Sequence, residues 1–108
     1  MNNMQPWKIL SETVCVGVLT DGWNLAESSG GDEEGRRIFT YEVLFSSPFY
    51  HAPVVNLGLT GFDIDKHQSS RINLLPVEIT PAGFKAQIST WRDTQVYSVA
   101  FTWLAVGA

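Results

Sequence analysis

Hydrophobic and polar residues alternate one for one through much of the chain, most clearly over its last quarter. Phe84, Ala86 and Ile88 fall on one side of an extended segment whose other side carries Lys85, Gln87 and Ser89. After a polar break, Tyr97, Val99, Phe101 and Trp103 share a face opposite Ser98, Ala100 and Thr102. Successive side chains leave a pleated strand on opposite sides, so this period of two predicts two half-buried strands. Arg92-Asp93-Thr94-Gln95 separates them and predicts a tight turn closing a hairpin. Trp91 falls on the polar side at the end of its strand, either tucked under a loop or displayed to a ligand.

Four further runs repeat the habit. Thr13 to Leu19 sets Val14, Val16 and Val18 on one face, and Ile38 to Phe45 does the same for Phe39, Tyr41, Val43 and Phe45. Val54 to Thr60 groups Val55, Leu57 and Leu59. Arg71 to Ile79 is less regular: its alternation shifts at Leu74-Leu75-Pro76, and a proline inside such a run marks a bulge or an edge. There is no helical periodicity, internal repeat or linker. The expectation is an all-β sandwich, one domain over 1–108 with 1–10 as an N-terminal extension.

Two loops interrupt the strands. Ala26 to Arg37 is long and polar, either a solvated connection or a recognition loop. Gly61 to Ser70 holds Asp63-Ile64-Asp65 and His67; calcium would need further oxygen ligands at matching spacing, so these read as surface acids.

Hairpin arithmetic gathers a constellation. A turn at Thr80-Pro81-Ala82-Gly83 sets Ile79 opposite Phe84 and, counting back, Arg71 opposite Arg92; a bulge near Pro76 moves this by one. The next turn sets Trp91 opposite Val96, with Tyr97 one position on. Arg71, Trp91, Arg92 and Tyr97 are thus expected at one end of the sheet. Two facing arginines repel, so an acid should lie beside them: Asp93, or Asp32, Glu33 or Glu34 from the long loop. Such a cluster is either a surface ion-pair group of little consequence or a polar recognition site. Arginine forks, a carboxylate and an aromatic edge suit the hydroxyls and apolar face of a sugar.

Composition narrows the classes. With 108 residues, 44% hydrophobic and 17% charged, the chain can bury a core and does not resemble a disordered segment. A net charge of -4 without a Lys/Arg cluster weighs against nucleic acid and anionic membranes as partners. No apolar run approaches the roughly 20 residues that cross a bilayer, and no signal peptide is visible, which leaves the compartment open: the protein is cytosolic, is released by a route the sequence does not encode, or has been trimmed of a leader. Cys15 is the lone cysteine and is expected as a small core residue, with no internal disulfide. An enzyme is not expected: no carboxylate pair is placed across a cleft, and His51 and His67 lack a Ser or Cys nucleophile in reach. Nor does any Cys/His spacing suggest a metal or other cofactor.

Several motifs together resemble the H-type lectin domain, known from snail agglutinins and the C-terminal part of slime-mould discoidins. They are Phe45-x-x-Pro48-Phe49, Pro53-Val54-Val55, Asp63, Arg71-Ile72, Thr80-x-x-Gly83-Phe84, Thr90-Trp91-x-Asp93-Thr94, Tyr97-Ser98 and Trp103-Leu104-Ala105. The resemblance runs from about Gly22 to Ala105. It implies a six-stranded antiparallel β-sandwich assembling as a homotrimer, in some members two trimers joined as a hexamer. It also implies metal-free binding of N-acetylgalactosamine or galactose at sites between protomers. Arg71, Trp91 and Tyr97 match residues of that site, Arg92 stands where a histidine is common, and Glu34 or Asp32 matches the loop acid. The disulfide cysteines of the snail proteins are missing. A different reading is a structural or assembly module, of phage or surface-fibre type, with the fold and no sugar site.

Overall fold

The computed structural model describes residues 6–27 and 32–108, so Ser28 to Gly31 of the long loop lie outside the described residues. Six strands follow in order: β1 (Lys8–Gly17), β2 (Arg37–Leu44), β3 (Val54–Ile64), β4 (Asn73–Thr80), β5 (Gly83–Thr90) and β6 (Val96–Gly107). They form two three-stranded antiparallel sheets, β1-β6-β3 and β2-β5-β4. Among the described residues there is no helix, hence none long and apolar enough to cross a membrane. The expected six-stranded sandwich is the fold found.

The core lies where the alternating faces meet. Val14 and Val16 of β1 and Val99, Phe101 and Trp103 of β6 come from one sheet; Phe39, Val43, Phe84, Ala86 and Ile88 come from the other. Phe45 ties them together, its ring 5.1 Å from Phe49, 5.9 Å from Phe84 and 5.7 Å from Trp103. Tyr41 meets Phe101 edge-on across the sheets at 6.3 Å. Ile88 is fully buried on the central strand of its sheet, paired between Phe39 and Leu74. Ile88→Val should therefore cost about 1 kcal/mol through lost burial and the small cavity left behind, read as a lower urea midpoint at unchanged slope.

Several sequence expectations need correction. Strands β5 and β6 belong to different sheets, so they form no hairpin, and Trp91 does not pair with Val96. A polar turn between two alternating strands looks the same whether the chain folds back within a sheet or arches across to the facing one. Second, β4 is an edge strand with a bulge, both of which the proline run allows, but the bulge lies beyond Pro76, between Val77 and Thr80, where Glu78 and Ile79 together oppose Phe84 and Glu78 takes φ 51°. Below that bulge the pairing runs Asn73 with Ser89 and Leu74 with Ile88, a register whose continuation sets Arg71 level with Trp91, not Arg92. Third, β6 has its own bulge: Asp63 pairs with Ser98 and Ile64 with Val96, leaving Tyr97 unpaired. Val96 takes the buried place and Tyr97 leaves the row of Val99, Phe101 and Trp103. Fourth, Cys15 is exposed on β1, because Val14 and Val16 hold the core side and alternation turns the residue between them outward.

Strand β1 also begins earlier than the pattern suggests, with Lys8–Glu12 paired to Trp103–Gly107. Lys8, expected in an extension, is fastened: its ammonium donates to the Ser47 carbonyl (3.0 Å) and hydroxyl (2.9 Å) and lies 4.6 Å over the Phe49 ring.

The two outer faces differ. On the β2-β5-β4 sheet, Lys85 meets Glu78 at 3.2 Å beside Glu42, on a face that also carries Thr40, Gln87, Leu75, Val77 and the exposed Ile38 and Leu44. The outer face of β1-β6-β3 carries Ile9, Val106 and Val54 in one row, then Ser11, Leu104 and Asn56, then Thr13, Thr102 and Gly58. Among the described residues, Asp63, near the end of β3, is the one charged residue in the paired rows of that face.

Candidate functional site

The polar loops converge at the end where β2 and β4 begin and β5 ends, and a buried arginine organises them. Arg37, the first residue of β2, keeps the core-facing parity of Phe39 and Tyr41 and is only 3% exposed. Its guanidinium donates to the carbonyls of Gly35 (2.8 Å), Thr94 (2.9 Å), Arg92 (2.6 Å) and Glu27. Burial pulls its pKa below the ordinary guanidinium value, with Glu27 and Asp93 opposing the shift. A planar fork with five donors can satisfy carbonyls from two loops at once. Arg37 thereby clamps the loop before β2 to the turn after β5.

The clamp shapes the turn. Arg92 sits in the left-handed region (φ 59°), and its amide donates to the Glu34 carbonyl at 2.6 Å. Opposite it, Gly35 has φ 70°, and a Cβ there would stand 3.0 Å from the Arg92 carbonyl oxygen; the crossing requires glycine. The Arg92 and Glu34 side chains then meet at 3.6 Å, both well exposed. Asp32 does different work. One of its oxygens accepts the amides of Glu34 and Arg36, each at 3.0 Å, and this holds its carboxyl below the usual range, the Arg36 amide contributing most. Of the two candidate loop acids, Glu34 faces the arginine and Asp32 folds back on its own loop.

Arg71 is held at both ends. Its guanidinium donates to Asp93 Oδ1 (3.1 Å) and to the Thr94 hydroxyl (2.7 Å), while its carbonyl accepts from the Thr90 hydroxyl at 2.5 Å. Thr94, itself fully buried, donates to the Ser69 carbonyl at 2.7 Å. The expected acids are thus in place: Asp93 beside Arg71, Glu34 beside Arg92. Trp91 follows β5 in the same turn and is partly buried.

Tyr97 stands apart from that cluster, on the outer face of β1-β6-β3. It lines a groove of about 270 Å³ with Cys15, Val18, Leu19, Thr20 and Ser98, and Leu19 is almost wholly exposed. Its hydroxyl donates to Asp65 Oδ2 at 3.1 Å, which raises its pKa above the ordinary phenol value. Asp65, expected as a surface acid, is a hub: its other oxygen accepts the His67 amide at 2.8 Å and faces the His67 ring Nδ1 at 3.0 Å. Those bonds, the amide foremost, hold the Asp65 carboxyl below its ordinary range. Gln68 continues the brace, exchanging two hydrogen bonds with Gln95 (2.8 and 3.0 Å), and Gln95 reaches the Ala26 carbonyl at 3.0 Å. No group of three or more His, Cys, Asp or Glu that could hold a metal ion occurs among the described residues.

Sequence reasoning missed Arg37, Thr94 and Asp65. For Arg37 a signal existed: counting back from Phe39 and Tyr41 puts a full charge at a core-facing position, which demands dedicated partners.

The sequence pattern of the H-type lectin domain matches residues 40–106. That stretch contains Arg71, Trp91, Arg92 and Tyr97 and leaves out the long loop. A curated relative from Fuscovulum blasticum, described as ATP synthase subunits region ORF 7, is 38% identical over 74 residues, spanning 68% of this chain and 64% of that protein. Two solved structures of discoidin II from Dictyostelium discoideum, the wild-type protein and the native recombinant one, superpose with TM-scores of 0.76 and 0.75. Each is 23% identical, and the matches cover 99% and 98% of this chain and 39% of those chains. At that identity the likeness concerns the fold.

Proposed function

The chain belongs to the H-type lectin domain family, and from that premise we propose that it is a non-catalytic lectin whose site takes a terminal, uncharged sugar of the N-acetylgalactosamine or galactose type. The observation that carries the reading is the charge-compensated pairing at the converging loops. Arg71 is matched by Asp93 and Arg92 by Glu34, so the end of the sandwich offers donors and acceptors side by side. A sugar hydroxyl is donor and acceptor at once and fits such a pair. Asp93 meets Arg71 through one oxygen and is 69% exposed, which leaves carboxylate surface for a ligand. Trp91 and Tyr97 supply apolar edges.

Tyr97 reaches that site from a neighbouring copy. It lies on the outer face of β1-β6-β3, whose rows hold one charged residue, Asp63, and present Ile9, Val54 and Leu104 to solvent. Three copies packed through this face form a homotrimer, and each interface sets Tyr97 of one copy against the Arg71 cluster of the next. Binding a monosaccharide at a single site should be weak, roughly micromolar to millimolar, with linked sites raising the avidity.

A glycan array with labelled protein, run with and without chelator beside a sedimentation measurement, tests this. The expected result is selective, chelator-insensitive binding to terminal N-acetylgalactosamine or galactose by a trimer. A blank array from trimeric protein would overturn the lectin reading in favour of an assembly module, and binding confined to acidic glycans would overturn the uncharged ligand.

A further inference from the structure

The bulge in β6 leads to an inference that rests on the carbohydrate reading and adds a residue to it. We propose that Asp65 is a positioning residue for sugar recognition: it draws the Tyr97 hydroxyl hydrogen inward, so the phenol faces the ligand with lone pairs only. The site then selects sugars that offer a donor there, a hydroxyl or an acetamido N–H.

The geometry is specific. Tyr97 is the residue of the bulge left unpaired toward β3, while on the other side its carbonyl accepts the Val18 amide at 3.0 Å, so the irregularity sets how its ring is aimed. Its oxygen lies 3.1 Å from Asp65 Oδ2, and the opposite carboxylate oxygen is pinned by the His67 amide at 2.8 Å and the His67 ring at 3.0 Å. The Asp65 amide in turn donates to the Gln95 carbonyl at 3.0 Å, so the backbone of the acid is fixed to the turn that carries Arg92 and Asp93. An ionised carboxylate only accepts, whereas a phenol carries one hydrogen and two lone pairs. With Asp65 charged, the single phenolic hydrogen is committed inward and only acceptor capacity remains outward. Alone, the Tyr97 hydroxyl could rotate to suit either partner.

The titratable groups around the pair are Asp63 on β3, Lys66 and His67 in the turn beyond it, and Cys15 on β1 across the groove. Asp63 adds negative charge near Tyr97, which keeps the phenol protonated. The pair is intact wherever Asp65 is ionised. Because the folded Asp65 titrates below its ordinary value, the pair persists down through the usual carboxylate range and opens only as pH falls through that depressed value. At alkaline pH the Tyr97 shift has the opposite sense: the bond holds until pH rises through the raised phenol value.

The test compares wild type, Asp65→Asn, Tyr97→Phe and the double variant for affinity toward the sugar identified on the array and for tyrosinate absorbance against pH. Tyr97→Phe leaves the Asp65–His67 contacts in place, so it serves as a second variant should Asp65→Asn fold poorly; it also assigns the Tyr97 signal among three tyrosines. Asp65→Asn is expected to weaken binding by about three- to tenfold, the scale of one hydrogen bond, and to bring the Tyr97 titration down toward its ordinary value. The double variant should bind no worse than the weaker single one, since both remove the same contact. If wild type binds and Asp65→Asn matches it, or the two losses simply add, the proposal is wrong while the lectin reading stands. A wild type that binds no glycan removes both.

Discussion

Arg37→Ala is expected to destabilise the fold by about 3–5 kcal/mol and to abolish glycan binding with it. The side chain is 3% exposed, and its guanidinium serves the carbonyls of Glu27, Gly35, Arg92 and Thr94. Truncation leaves those acceptors facing a cavity, and each buried carbonyl without a partner costs about 1–3 kcal/mol. Water entering the cavity recovers part of this, which is why the estimate is below the sum. Arg37→Lys should recover only a fraction, because one ammonium on a flexible stem cannot span carbonyls from two loops. Arg37→Met separates packing from hydrogen bonding, since it fills much of the volume and donates nothing. Urea unfolding measures the cost, and hydrogen exchange at the Arg92 and Val96 amides shows whether the turn has come loose. A loss below about 1 kcal/mol for Arg37→Ala would mean that the loops are held by Gln95 and Thr94 instead.

That clamp also shows what the sequence could and could not reveal. Alternation located the strands because each sheet has one wet face, so Phe39, Tyr41 and Val43, or Phe84, Ala86 and Ile88, announce their side directly. The alternation says nothing about which strands pair, and β5 and β6, adjacent in sequence, lie in opposite sheets. The bulge at Tyr97 escaped, and the one expected near Pro76 sits further on at Glu78, for a related reason: one inserted residue changes facing without changing composition. The valine neighbours of Cys15 suggest a core residue, although the parity that buries Val14 and Val16 turns it outward. At the site, two of the candidate acids are where the sequence suggests, although the premise shifts: Arg71 lies level with Trp91, not Arg92, yet Asp93 meets Arg71 and Glu34 meets Arg92. Asp65 was not legible, because its role depends on where the Tyr97 bulge aims a hydroxyl.

Arg71→Ala should reduce glycan binding by more than about a hundredfold, below detection for a site this weak, while leaving sedimentation unchanged. The two outcomes separate because, on the proposed reading, Arg71 serves the fold mainly through its backbone and the ligand through its side chain. The Arg71 carbonyl, which takes the Thr90 hydroxyl at 2.5 Å, survives the substitution, and so does the Thr94 bond to Ser69 at 2.7 Å. What is lost inside the protein is the contact to Asp93, itself 69% exposed, and one of the two bonds made by the Thr94 hydroxyl. A solvent-screened pair of this kind is worth about 0–1 kcal/mol, so the urea midpoint should move little. The ligand loses more. The guanidinium is the donor set against the Asp93 carboxylate, and without it that carboxylate stands uncompensated where an uncharged sugar must dock. Arg71→Lys keeps the charge and loses the fork, so it should bind measurably but more weakly than wild type. Binding retained in Arg71→Ala at wild-type strength would place the sugar elsewhere on the sandwich. A matched loss of binding and of stability would instead make Arg71 a second clamp like Arg37, with the recognition contacts made by Arg92 and Glu34.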